Sequence, residues 1–320
     1  MNVKRTRKGG RLLGPPVRDI SVKRGMRLDG LAREMAGSGG FVAKKTGEAV
    51  DLLEAMVRDR GCLKFLSFPA CIIATGCRGV IRTLVKERLI DVIVTTCGTL
   101  DHDLARSWAT YHHGDFDVDD VELHRAGIHR IGNVFVPMKN YGIVLEEKIQ
   151  PVLNELWRMG KRSISTRELA WELGRRAGRD SILRWAWRKK VPVYIPGIFD
   201  GAVGSQLWLF WQTHREFGIN EFEDQQELAD LVFGAKRSGA LIIGGGISKH
   251  HVIWWNQFKG GLDYAVYITT APEWDGSLSG ARTREAISWG KIRERARHIT
   301  VEGDATLLLP VMTGALLERL

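Results

Sequence analysis

Several segments of the sequence carry side chains whose types and spacing could do chemistry. In EAISWGKIR (285–293), Lys291 follows Trp289 and Gly290 in an apolar neighbourhood. A lysine amine taken out of water gives up its charge more readily, which frees it as a nucleophile for imine chemistry. Glu285 could hold a cationic substrate by charge pairing, and Trp289 could cover an alkyl-ammonium chain by cation–π contact. The plainer alternative is a surface lysine at a strand edge, and composition does not decide between them. In GGGISKHH (244–251), His250 and His251 open a helix directly after a glycine turn. An imidazole there can act as a general base near neutral pH. Adjacent helical histidines point in different directions, so they do not share a metal; His251 reads as a packing residue.

The turn IIGGGISKH has the character of a dinucleotide-binding loop. Its glycines let the backbone approach a phosphate or ribose, and the next helix offers free N–H groups. The G-x-G-x-x-G pattern would need glycine where Lys249 stands, so a tight turn with only a packing role is the alternative. No G-x-x-x-x-G-K-[ST] occurs, which disfavours a P-loop ATPase. Asp200 and Asp304 each follow an expected strand. Such acids can accept hydrogen bonds from ribose hydroxyls, but the spacing alone favours turn or helix-capping aspartates.

These residues need a frame. Short apolar runs alternate with helical stretches: LKFLSF precedes a helix over 74–88, DVIVTT a helix over 101–111, and VPVYIPG a helix from about 204. ALIIGGG precedes a helix over 248–258, DYAVYITT forms a further strand, and HITVEGDA a strand before a C-terminal helix. This pattern predicts βαβ units around a largely parallel sheet buried on both faces. Ligands of such sheets bind beyond the carboxyl ends of the strands. TTCGTLDHD (95–103), PGIFDGAVGS (196–205), GGGISKHH and TTAPEWDGSLSGA (269–281) all stand at predicted ends. That convergence points to an enzyme with a nucleotide-like cofactor. Residues 143–190 are read as a helical excursion within one domain (41–320), and residues 1–40 as a mostly extended basic arm.

The chain has 320 residues and a formal charge of +10, with 44% hydrophobic and 26% charged residues, the balance of a globular protein. The charge is concentrated. Residues 1–35 carry a net +7 and residues 158–190 a net +8, leaving −5 for the rest. No helix-turn-helix, zinc finger or other recognition motif accompanies it, so nucleic acid is not the expected partner. The four cysteines (62, 71, 77 and 97) form no C-x-x-C pair, so no metal site is expected, and their apolar surroundings suggest buried reduced thiols. No basic-then-apolar leader is read at the start, and apolar runs are too short to span a membrane. A reducing cytoplasm is the expected compartment.

Taken together, GGGISKHH, DYAVYITTAPEWDGSLSGAR, EAISWGKI and GDAT, in this order and spacing, resemble the deoxyhypusine synthase family, and so does GIHRIGNVFVPMKNYG (127–142). The likeness runs from about Phe41 to Leu316. It implies a Rossmann-like α/β fold and an NAD-dependent transfer of the 4-aminobutyl group of spermidine to one lysine of the translation initiation factor 5A precursor. It further implies that Lys291 carries the aminobutyl group as an imine and that His250 assists proton transfer. Glu285 and Trp289 would line the amine pocket, with Asp101, Gly276 and Ser277 nearby. The cofactor positions fall on Ala70, Cys71, Ile72, Ile73 and Ala74, on Thr96, Cys97, Gly98 and His102, and on Asp200, Gly245, Thr270, Ala271, Asp304 and Ala305. A homotetramer is also implied. Leu278 and Ser205 stand where eukaryotic members carry polyamine-binding aspartates, and His102 replaces an acid; these departures look archaeal and leave the amine donor open. Homospermidine synthases share the scaffold, use putrescine as acceptor, and are the alternative.

Overall fold

In the computed structural model, which describes residues 14–320, six apolar runs pair into one sheet. They are β1 (Cys62–Ser67), β2 (Val92–Val94), β3 (Val193–Tyr194), β4 (Arg237–Ile243), β5 (Leu262–Thr269) and β6 (Ile292–Glu302), in the order β6-β5-β4-β1-β2-β3. All five pairings are parallel. The order reverses between β1 and β4, as in doubly wound dinucleotide-binding folds.

Registry explains why both faces are buried. Ile93, Leu66, Leu241 and Val266 lie side by side across four strands and face one core. The adjacent row, Val92, Phe65, Ala240 and Ala265, faces the other. Helices Phe41–Arg58, Cys77–Lys86 and Ala305–Arg319 cover the first face through Leu53, Ile81 and Met312. Helices Glu221–Gly234 and Gly246–Gln257 cover the second through Leu228 and Val252. A strand apolar on both sides reads as an unbroken apolar run, which is the signal the sequence carries.

Four expectations about element bounds change. The helix after β2 begins at Cys97, so TTCGTLDHD is mostly helix (Cys97–Trp108). After β1 the chain forms a 3-10 turn, Ala70–Ala74, before helix Cys77–Lys86. β6 begins at Ile292, well before HITVE. It is an edge strand, and its exposed Glu294, Arg295 and Arg297 hide it from a hydrophobic reading. Finally, part of the expected extended arm is a helix, Leu28–Ser38, ended by Gly39 with φ +78°. It crosses Phe41–Arg58 so closely that a Cβ on Gly47 would stand 2.3 Å from the Ala32 carbonyl oxygen. Asp29 pairs with Arg319 of the C-terminal helix. Residues 1–13 of that arm lie outside the described residues.

The expected helical stretch contains helices Gly142–Arg158, Thr166–Arg176 and Ile182–Lys189, and its apolar faces join the first core. Two acids of helix Cys97–Trp108 anchor helices that come much later in the chain. Two residues apart on a helix is about 200° of rotation, so Asp101 and Asp103 face different ways. Asp103 is fully buried, pairs with Arg78 at 2.7 Å, and accepts from Ser181 Oγ (2.6 Å) and the backbone N–H groups of Ile182 and Leu183 (3.0 Å each). It thereby caps helix Ile182–Lys189. The basic charge of this stretch meets local acids: Arg175 and Arg176 pair with Glu155 and Glu172, and Arg167 with Glu227. Cys62, Cys77 and Cys97 are buried, but Cys71 is exposed, contrary to expectation, because the 3-10 turn places it on the rim. Among the described residues no helix is long and apolar enough to cross a membrane.

Candidate active site

Every strand of the sheet delivers one or more of the expected cofactor residues just past its carboxyl end. Ala70, Cys71, Ile72, Ile73 and Ala74 follow β1, and Thr96, Cys97 and Gly98 follow β2. Asp200 follows β3, Gly245 β4, Thr270 and Ala271 β5, and Asp304 and Ala305 β6. Cys71, Asp200, Thr270 and Asp304 are exposed along this edge, whereas Ile72, Ile73, Ala74 and Cys97 are buried beneath it. Helices Cys97–Trp108 and Gly246–Gln257 both begin here with no side-chain cap, so their first N–H groups are free for an anion. Exposed carboxylates for ribose hydroxyls and open helix ends for phosphates are the donor set a dinucleotide needs, so these residues fit NAD.

Two of the plainer alternatives also hold. Asp304 Oδ1 accepts from Thr306 N (2.8 Å) and Leu307 N (3.2 Å), capping the C-terminal helix. Gly244 and Gly246 adopt φ +67° and +73°, and a Cβ on Gly245 would lie 2.4 Å from Ser279 Oγ. The glycine turn is thus seated against the loop after β5, which forms the adjoining wall.

On the second face of the sheet lies a cavity of about 310 Å³ between helix Gly246–Gln257 and the crossover from β5 to β6. His250, Glu285, Trp289 and Lys291 all line it. Lys291 stands at the amino end of β6 and reaches in from there; its N–H bonds the Ala286 carbonyl (2.9 Å) and its carbonyl receives Leu262 N–H (3.0 Å). The residue is 8% exposed, and Nζ lies 5.1 Å from the Trp289 ring centroid. His250 stacks on Trp254 (5.6 Å, 23°). Burial and the neighbouring Lys291 charge lower the His250 pKa, so its imidazole is neutral and can accept a proton at pH 7.

Two expected residues are placed otherwise. Asp101 does not line the cavity. It is 1% exposed and accepts from Ala202 N (2.9 Å), Val203 N (2.8 Å) and Tyr141 Oη (2.8 Å), capping helix Ala202–Thr213. Gly201 permits this approach, since a Cβ there would lie 2.8 Å from Asp101 Oδ2. His102 lies inside the protein with its Nδ1 sharing a 2.9 Å hydrogen bond with the Tyr111 hydroxyl. Gly276 and Ser277 sit exposed on the loop that carries Leu278, which does line the cavity; Ser205 donates to the Gly201 carbonyl and does not.

Lys249, Tyr267 and Trp254 are among the cavity residues that escaped the sequence reading. Lys249 is 1% exposed, with Nζ donating to the carbonyls of Leu278 (2.6 Å) and Ala281 (2.8 Å) and lying over the Tyr267 ring. Burial lowers its pKa to about 8. It braces the loop against the helix; the lysine that breaks the glycine motif was its only trace. Tyr267 had no signal beyond an apolar strand. Trp254 had one: it stands one helical turn after His250, on the same face.

Two histidines that folding takes out of water, buried His102 and half-buried His251, make stability fall with acid. Burial lowers the pKa of His102 and of His251 to about 4 each. In the unfolded chain both titrate near 6.5, so between pH 6.5 and 4 the unfolded state takes up protons that the folded state refuses. Stability is therefore lost as pH falls through that window, by on the order of 3 kcal/mol for His102 alone. Urea unfolding of wild type and His102→Gln at pH 7 and 4.5 checks this. The variant is expected to lose less stability over that interval; an equal loss refutes the assignment.

The sequence profile described as Deoxyhypusine synthase matches residues 30–316. A Picrophilus torridus protein named "Probable deoxyhypusine synthase" is 52% identical over 308 residues, covering 96% of this chain and 98% of its own length. One of the same name from Thermoplasma acidophilum is 50% identical over 307 residues, with 96% and 98% coverage. Among solved structures, one from Entamoeba histolytica assigned as a deoxyhypusine synthase has a TM-score of 0.62 at 16% identity, covering 94% of this chain and 96% of that one, a likeness of fold. By profile and by near-full-length identity, this chain is an enzyme that belongs to the deoxyhypusine synthase family.

Proposed function

We propose that the chain transfers the 4-aminobutyl group of spermidine, in an NAD-dependent reaction, to a specific lysine of the translation initiation factor 5A precursor. The observation that carries this reading is Lys291, a buried lysine whose amine faces tryptophan and opens into a cavity holding a carboxylate and a neutral histidine. NAD, when bound, would supply hydride transfer: removal of a hydride from the carbon beside the secondary nitrogen of spermidine and its return at the end. Thr96, Asp200, Thr270 and Asp304 would hold its hydroxyls, and the open ends of helices Cys97–Trp108 and Gly246–Gln257 its phosphates.

The remaining work falls to the chain's own residues. Glu285 pairs with the terminal ammonium of the butyl chain, and Trp289 covers the methylenes. Lys291 Nζ bonds to the oxidised carbon, and His250 takes the proton that the amine sheds. The bond from that carbon to the original nitrogen breaks; the diaminopropane fragment leaves with the electron pair and a proton, and Lys291 keeps the aminobutyl group as an imine. The acceptor lysine then attacks the same carbon, Lys291 departs as the free amine, and reduction completes deoxyhypusine. The same reading makes the enzyme a cytoplasmic homotetramer. The exposed aromatic face of Phe199, Trp208 and Trp211, which a second copy would cover, supports that.

The test combines protein, NAD, spermidine and the factor precursor, followed by peptide mass analysis. One lysine of the precursor is expected to gain an aminobutyl group, and borohydride without the precursor to trap an adduct on Lys291. Absence of both products would sink the proposal, and homospermidine formed from putrescine in place of the protein product would favour the alternative enzyme.

A further inference from the structure

The amine cavity is short of negative charge. Among the described residues, Glu285 is the one carboxylate in its wall, whereas Lys249, Arg282 and Lys291 are all there. Part of the wall is apolar, including Ile253 and Leu278. Lys249 is already occupied by two carbonyls, but its charge and that of Arg282 still repel a cation at that end. A donor with two or three ammonium groups can neutralise only one of them on Glu285.

The tryptophans offer what the carboxylates do not. Lys291 Nζ lies 5.8 Å from the Trp254 ring centroid and 5.1 Å from that of Trp289, so both indoles border the reacting amine in the cavity. Trp254 is 41% exposed, and its ring stacks on His250, which fixes its orientation. The Tyr267 hydroxyl, in the same wall, is buried with no hydrogen-bond partner among the described residues, leaving an acceptor for an N–H group.

Resting on the function proposed above, we propose that Trp254 is a specificity-determining residue: with Trp289 it clamps a second cationic segment of the donor by cation–π contact, replacing a second carboxylate. A linear polyamine then binds with one ammonium on Glu285 and its far ammonium against the Trp254 indole.

Calorimetric titration of spermidine into the NAD-supplemented protein tests this, using wild type, Trp254→Ala and Trp254→Phe, with near-UV circular dichroism confirming that each is folded. Trp254→Ala is expected to weaken binding about tenfold or more. Its KM for spermidine should rise in parallel while kcat stays within a few-fold, and Trp254→Phe should restore most of the affinity. Binding by Trp254→Ala within twofold of a wild type that binds well overturns the clamp and leaves the proposed function intact. A wild type that binds no polyamine overturns both.

Discussion

Lys291→Ala is expected to lower kcat by on the order of a thousandfold to a millionfold, as removal of a covalent nucleophile does. Affinity for spermidine should change far less, because Glu285, Trp289 and Trp254 remain in the cavity wall. Loss of kcat with retained binding separates a reacting group from a binding one. Lys291→Arg sharpens the test, since it keeps a cation between the two indoles but offers no amine to form an imine. Both variants should lose the borohydride adduct. The backbone around Lys291 is pinned to Ala286 and Leu262, so neither change should disturb the strand, which thermal unfolding would verify. Activity of either variant within tenfold of wild type would remove Lys291 from the chemistry.

The second large effect is on stability. Asp103→Ala is expected to cost about 3–5 kcal/mol, the usual result of removing one partner from a buried ion pair. Arg78, 6% exposed, would keep its bonds to the Asp103 carbonyl (3.0 Å) and Ser107 (3.0 Å) but lose its carboxylate. Helix Ile182–Lys189 would lose the acceptor of its first two N–H groups and keep the Ser181 hydroxyl, which accepts from Arg184 N. Asp103→Asn should recover part of the loss, since its carbonyl can cap but carries no charge for Arg78 or the helix dipole. Urea midpoints of the three proteins measure this. A loss under 1 kcal/mol for Asp103→Ala would show that the excursion is anchored by apolar packing instead.

Lys291 and Asp103 differ greatly in legibility. Lys291, Glu285, Trp289 and His250 were readable because the first three share a nine-residue segment and the fourth follows a glycine turn. The strands were readable because burial on both faces leaves unbroken apolar runs. What those runs determine is local: where a strand is, where it ends, and so which residues reach the ligand edge. Asp101 and Asp103 look alike in such a reading, as two acids beside a strand end. Only their partners, roughly 25 to 102 residues away in sequence, distinguish an amine-binding acid from the cap of a distant helix. Likewise, Leu28–Ser38 lies in a stretch rich in glycine and arginine and is helical because Phe41–Arg58 and the C-terminal helix give it a surface. Lys249 and Trp254 enter the cavity because one helix turns that face toward the β5–β6 crossover. Sequence periodicity records which side of an element is buried; which distant group waits on that side is set by packing, and for a charged side chain that partner decides its role.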